Sequence, residues 1–104
     1  MEIKKQPNHG INAIFGLPRE EILRIAYRHG VGRISVFGSV SRGEAKVESD
    51  VDFLIEVQGP TSPWFPGGLV AELETLLGRR VDIVEKEILE AELLEQILKE
   101  AVAL

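Results

Sequence analysis

Hydrophobic and polar positions follow two rhythms along this chain. Over residues 18–29, Ile22, Leu23, Ile25, Ala26 and Tyr27 form one apolar face at helical spacing. Pro18 suits a first helical turn, Glu20 and Glu21 suit its positive end, and Gly30 is a stop. Residues 33–37 switch to period two, with Ile34 and Val36 on one side and Ser35 and Phe37 on the other, and run into Gly38. Residues 39–48 are polar and predict a short helix or turn. The clearest strand is 51–57, where Val51, Phe53, Ile55 and Val57 face one way and Asp52, Leu54 and Glu56 the other.

QGPTSPWFPGG, residues 58–68, holds three prolines and three glycines and reads as a loop. Leu69, Val70, Leu73, Leu76 and Leu77 return to helical spacing, and Gly78 ends that helix. Residues 79–85 alternate again, Val81 and Ile83 against Arg80, Asp82 and Val84. From about residue 87 to the end, Leu89, Leu93, Leu94, Ile97, Leu98 and Ala101 make one stripe of an amphipathic helix covering the sheet. Residues 1–17 show no period apart from a short strand near 11–15, and read as an irregular lead-in to a domain over 18–104. The order helix, strand, short helix, strand, helix, strand, helix predicts an α/β or α+β single domain with helices packed on a small sheet.

Composition narrows the chemistry. At 104 residues one domain is expected. The chain has no cysteine, which excludes disulfides, zinc knuckles, iron–sulfur clusters and thiol nucleophiles. His9 and His29 are the only histidines and read as incidental. No apolar run approaches the ~18 residues of a membrane span, and the start, MEIKKQPNHG, lacks the apolar stretch of a signal peptide. No membrane partner is expected, and the expected location is cytoplasmic. With 12 basic against 17 acidic residues the net charge is −5, so stable nucleic-acid binding is not expected. Residues 83–104 carry Lys86 and Lys99 against six glutamates, which reads as a solvated helix face.

Candidate chemistry concentrates in residues 38–52, GSVSRGEAKVESDVD. Asp50 and Asp52 lie two apart where a strand begins, so both point to one face with Cα atoms about 6.5–7 Å apart. Carboxylates converging in this way can hold divalent ions about 3.5–4 Å apart, as two-metal phosphoryl-transfer sites do. Mg²⁺ suits them, being hard and oxygen-seeking. Asp82 faces the same pair if the third strand neighbours the second, and could ligate an ion or take a proton from an attacking hydroxyl. At Gly38 a phosphate can approach the backbone closely; Ser39 adds a hydroxyl, and Arg42 a planar cation suited to phosphate. Gly43 admits a tight turn. Gly38 and Gly43 have the GxxxxG spacing of a Walker loop, but Glu44 stands where its lysine would, and the Rossmann GxGxxG is absent. Ser49 reads as a turn-former. Trp64 and Phe65 read equally as rim packing, a lid, or an anchor for a partner or adenine ring.

GSVSRGEAKVESDVD resembles the GSx10DxD signature of nucleotidyltransferases related to DNA polymerase beta. The chain over about residues 18–104 resembles the minimal nucleotidyltransferases, with Asp82 of ELETLLGRRVDIV at their third carboxylate. The resemblance implies a nucleotidyltransferase-like fold with a small mixed sheet. It implies transfer of a nucleoside monophosphate, usually from ATP, with release of pyrophosphate. Asp50 and Asp52 would bind two Mg²⁺ ions, Asp82 would complete the catalytic metal site, and Gly38 and Ser39 would hold the triphosphate with Arg42 beside them. Members of this group are often antitoxins paired with a HEPN-domain ribonuclease toxin, and some silence it by adding AMP to a tyrosine. A protein adenylyltransferase antitoxin is therefore the expected function. Two alternatives stand beside it: a non-catalytic nucleotide-binding module that neutralises its partner by contact, and a small-molecule nucleotidyltransferase. The latter would need a homo-oligomer to complete its substrate site.

Overall fold

A computed structural model describes residues 17–44 and 49–104. The predicted strand near 11–15, and with it His9, lies outside the described residues, as do 45–48 of the predicted turn. Helix α1 spans Arg19–Arg28 and buries Ile22 and Ala26. It stops at Gly30, whose φ of 84° is open to glycine. The chain then enters β1, Val31–Phe37, two residues earlier than the alternation predicts. A register shift between Val31 and Arg33 explains the difference. The irregularity at Gly32 lets Val31 share the buried side with Ile34 and Val36, which a strict period of two forbids.

Strand β2, Val51–Val57, pairs antiparallel with β1, placing Phe37 opposite Asp52 and Ile34 opposite Ile55. Helix α2, Gly67–Leu77, buries Leu69 and Leu73 and ends on Gly78 in the left-handed region, φ 65°. It is the crossover that a parallel pair requires. Strand β3, Val81–Glu85, returns parallel to β2 with Asp82 opposite Asp52. A 3-10 turn at Lys86–Ile88, which the sequence pattern misses, leads to α3, Ala91–Glu100.

The predicted C-terminal helix stops short of the chain end. Ala101 is extended, with φ −71° and ψ 138°, and Val102–Ala103 form β4, antiparallel to β1. The backbone N–H of Leu104 also donates to the Ile34 carbonyl at 3.0 Å. The sheet is therefore mixed, in the order β3-β2-β1-β4. β-Branched Val102 gains a ladder partner on the otherwise open edge of β1, which outweighs one more helical turn.

The core lies between the sheet and α1 and α2. Phe53, Ile55 and Val51 of β2 meet Ile22, Leu69 and Leu73 there, all fully buried. His29 has a structural role: its Nε2 lies 2.8 Å from Glu72 Oε1 on α2, and this hydrogen bond is the main cause holding the Glu72 carboxyl below the ordinary glutamate range. The stripe on α3 is less covered than its periodicity predicts. Ile97 is buried, whereas Leu93 and Leu98 are about half exposed, at 47% and 50%. Among the described residues no helix is long and apolar enough to cross a membrane.

Candidate active site

Because β1 is antiparallel to both β2 and β4, and β2 is parallel to β3, the end of β1 and the beginnings of the other three strands meet at one edge. Every predicted site residue lies there. The chain leaves β1 through Gly38 with φ 78°. The positive φ at Gly38 calls for glycine, and a β-carbon there would in addition have to displace the Asp52 carboxylate. One helix-like turn follows. Arg42 N–H donates to the Gly38 carbonyl at 3.2 Å, Gly43 N–H to Val40 at 3.1 Å and Glu44 N–H to Ser39 at 2.9 Å. Ser41 Oγ adds a 2.8 Å bond to the Gly38 carbonyl, and buried Val40 fastens the turn to the core. Ser39 is half-buried and Arg42 exposed.

Asp50, just before β2, and Asp52, on its second residue, are half-buried. Asp82 sits opposite Asp52 and is exposed. Register at this edge is held by short bonds: Val51 N–H to the Arg80 carbonyl at 2.9 Å, Arg79 Nε to the Ser49 carbonyl at 3.0 Å, and Val81 N–H to Glu74 Oε2 at 3.0 Å. Asp52 and Asp82 are register partners on the paired strands. Burial first, then the neighbouring carboxylate of Asp82, then the charges of Asp50 and Glu100, push the Asp52 carboxyl above the ordinary aspartate range. Asp50 leans toward Arg80, with Nε–Oδ1 at 3.8 Å.

Among the described residues, no three carboxylate or histidine side chains already converge as a coordination set. The donor chemistry nevertheless fits a hard divalent cation. The site offers carboxylate oxygens on adjacent strands, and their mutual repulsion at Asp52 is what a cation relieves.

Sequence reasoning missed Glu100. This last residue of α3 accepts a hydrogen bond from Gly38 N–H at 3.2 Å through Oε2, and one from Arg42 Nη1 at 2.8 Å through Oε1. Arg42 also reaches Glu44 at 3.0 Å, and the two glutamates raise its already high pKa. A C-terminal helix read through to residue 104 hides Glu100, because only the β4 pairing carries it to Gly38.

The loop bearing Trp64 and Phe65 leaves from the opposite edge. Gly59 N–H donates to the Gly30 carbonyl at 3.0 Å, at the start of β1. Phe65 packs against the core, while Trp64 is 82% exposed. An open hollow of about 540 Å³ at that edge, lined by Tyr27, Gly30, Gln58 and Pro60, contains none of the predicted site residues.

A small mixed sheet whose glycine turn abuts a carboxylate cluster is the architecture of enzymes that transfer nucleotidyl groups. The chain belongs to the nucleotidyltransferase domain family, whose pattern matches residues 19–104. It is accordingly a transferase, in that family's minimal form. It is 45% identical over 75 residues to the protein adenylyltransferase MntA of Thermococcus cleftensis, covering 72% of this chain and 76% of that one. A solved structure provisionally assigned as a minimal nucleotidyltransferase superposes with a TM-score of 0.76 at 41% identity, covering 90% of this chain and 95% of the other. A toxin–antitoxin structure with AMP-PNP shares the fold, with a TM-score of 0.72 at 21% identity over 84% of this chain and 72% of that one.

Proposed function

We propose that this protein transfers AMP from ATP to a hydroxyl on a partner protein, a tyrosine of a HEPN-type ribonuclease toxin, and so acts as an antitoxin. The observation that carries the reading is the placement of Asp50, Asp52 and Asp82 on two paired strands beside the Gly38 turn. Similarity to a protein adenylyltransferase over most of the chain supports protein as the acceptor class.

In this reading the Gly38 turn and Arg42 bind the triphosphate. The acceptor hydroxyl oxygen attacks the α-phosphorus, the bond to the bridging oxygen of the β-phosphate breaks, and pyrophosphate leaves. Asp82, exposed at the sheet edge, takes the hydroxyl proton. Asp50 and Asp52, with Asp82, are the residues that would hold Mg²⁺. Bound there, two Mg²⁺ ions would neutralise the triphosphate and stabilise the attacking and leaving oxygens.

The test uses α-phosphate-labelled ATP with Mg²⁺ and the host's proteins as acceptors, against an Asp50→Asn/Asp52→Asn control. A labelled protein that disappears with the control supports the reading and gives the acceptor by mass. A double variant that still labels protein, or that still protects cells from the toxin, overturns catalysis as the basis of the antitoxin function.

A further inference from the structure

We propose that Glu100 is a resting anion lodged in the phosphate-binding turn, which an incoming nucleotide must displace. The inference rests on the assignment of Gly38 and Arg42 to the triphosphate. The two oxygens of one carboxylate engage one backbone amide, Gly38 N–H at 3.2 Å, and one guanidinium, Arg42 Nη1 at 2.8 Å. An amide and a guanidinium are the donors that a phosphate oxygen pair takes in such a turn.

The fold delivers Glu100 to this place. β4 pairs antiparallel with β1, Ser35 opposite Ala103 and Val36 opposite Val102, so the same register brings residue 100 to residue 38. The extended Ala101 ends α3 at that point. The backbone is thus tethered, while the glutamate side chain keeps three rotatable bonds and is 30% exposed. It can swing out without disturbing a strand.

Two observations separate a displaceable anion from a structural brace. The turn is already held by the bonds from Arg42, Gly43, Glu44 and Ser41, and by the buried Val40. Its shape therefore does not depend on Glu100. In addition, Glu100 and Asp52 both lie against Gly38, one at its amide and the other at its α-carbon, so Glu100 brings a further negative charge beside the acidic pair. A carboxylate added to an acidic cluster is unfavourable unless its contacts with Arg42 and Gly38 offset the repulsion. Occupancy by Glu100 lowers the fraction of molecules ready to bind nucleotide and weakens apparent affinity by that fraction.

The experiment is calorimetric titration of AMP-PNP with Mg²⁺ into wild type, Glu100→Gln and Glu100→Asp, each checked for an unchanged melting transition. Glu100→Gln is expected to bind roughly two- to fivefold more tightly, the range that loss of one partly exposed ion pair supports. Glu100→Asp, one methylene shorter, should fall between. The Gly38 amide resonance should shift in Glu100→Gln, and should move in wild type when inorganic tripolyphosphate is added. Unchanged or weaker binding by a folded Glu100→Gln, with wild type still binding, overturns the displacement and leaves the assignment of the turn intact. No binding by wild type or variants overturns the assignment itself, and this inference with it.

Discussion

The Asp52 carboxylate occupies the volume that a side chain on Gly38 would fill. Asp52 pairs across the sheet with Phe37, and Gly38 follows at once with φ 78°. The turn proposed to bind phosphate and the acidic pair are thus two halves of one close contact. Gly38→Ala should cost about 1–3 kcal/mol, from the positive φ and the displaced carboxylate together. Nucleotide binding should fail even where the variant remains folded, which denaturant melts and calorimetry on one preparation will separate.

The three carboxylates should differ in severity. Asp50→Asn and Asp52→Asn should abolish AMP transfer with far-UV circular dichroism unchanged. Asp82→Asn, removing the proton acceptor of the proposed step, should lower the rate by roughly 10²–10⁴-fold. A rate constant for Asp82→Asn equal to wild type would remove Asp82 from the mechanism.

Asp52 also predicts a stability effect. Its folded pKa lies above that of the unfolded chain, so between the two the native state holds more protons and stability falls as pH rises. At pH 7 the ionised group is destabilising. Asp52→Asn should therefore melt higher than wild type at pH 7 in EDTA, and the gap should close below the ordinary aspartate pKa, where both states are protonated. Mg²⁺ should raise the melting temperature of wild type and leave that of the variant nearly unmoved.

Two aromatic residues should behave oppositely. Phe53 is fully buried between the site strand and the helices, and Phe53→Ala should cost about 3–5 kcal/mol. Trp64 is 82% exposed, and Trp64→Ala should change stability by no more than about 0.5 kcal/mol. Chemical denaturation of both variants checks the pair.

Much of this was legible because local pattern and global packing agree. The alternation of Val51, Phe53 and Ile55 marked the site strand. The meeting of Asp52 and Asp82 was conditional on the third strand neighbouring the second, a condition that the parallel pairing of β2 and β3 meets. Other features were not legible. The irregularity at Gly32 masks the first residues of β1 by breaking the period. β4 is two residues long and continues an apolar stripe that reads equally well as helix. Glu100 then followed β4 out of view, since a contact between residues 38 and 100 depends on strand pairing and not on any neighbouring sequence. His29, unremarkable in the sequence, became a helix-to-helix tie only because α1 and α2 lie side by side.

The alignment of Asp82 with Asp52 makes the proposed catalytic edge intolerant of a one-residue change in the approach to β3. Side chains on a strand alternate faces, so inserting or deleting one residue at Arg79 or Arg80 would slide β3 by a single step and turn residue 82 away from its partner. The backbone ladder could re-form with Val81 or Ile83 in the vacated place, but Val81 would leave the core and the acidic cluster could not be rebuilt. Length variation in this family should therefore collect in the 58–66 loop at the far edge and avoid the short passage from Gly78 to Val81.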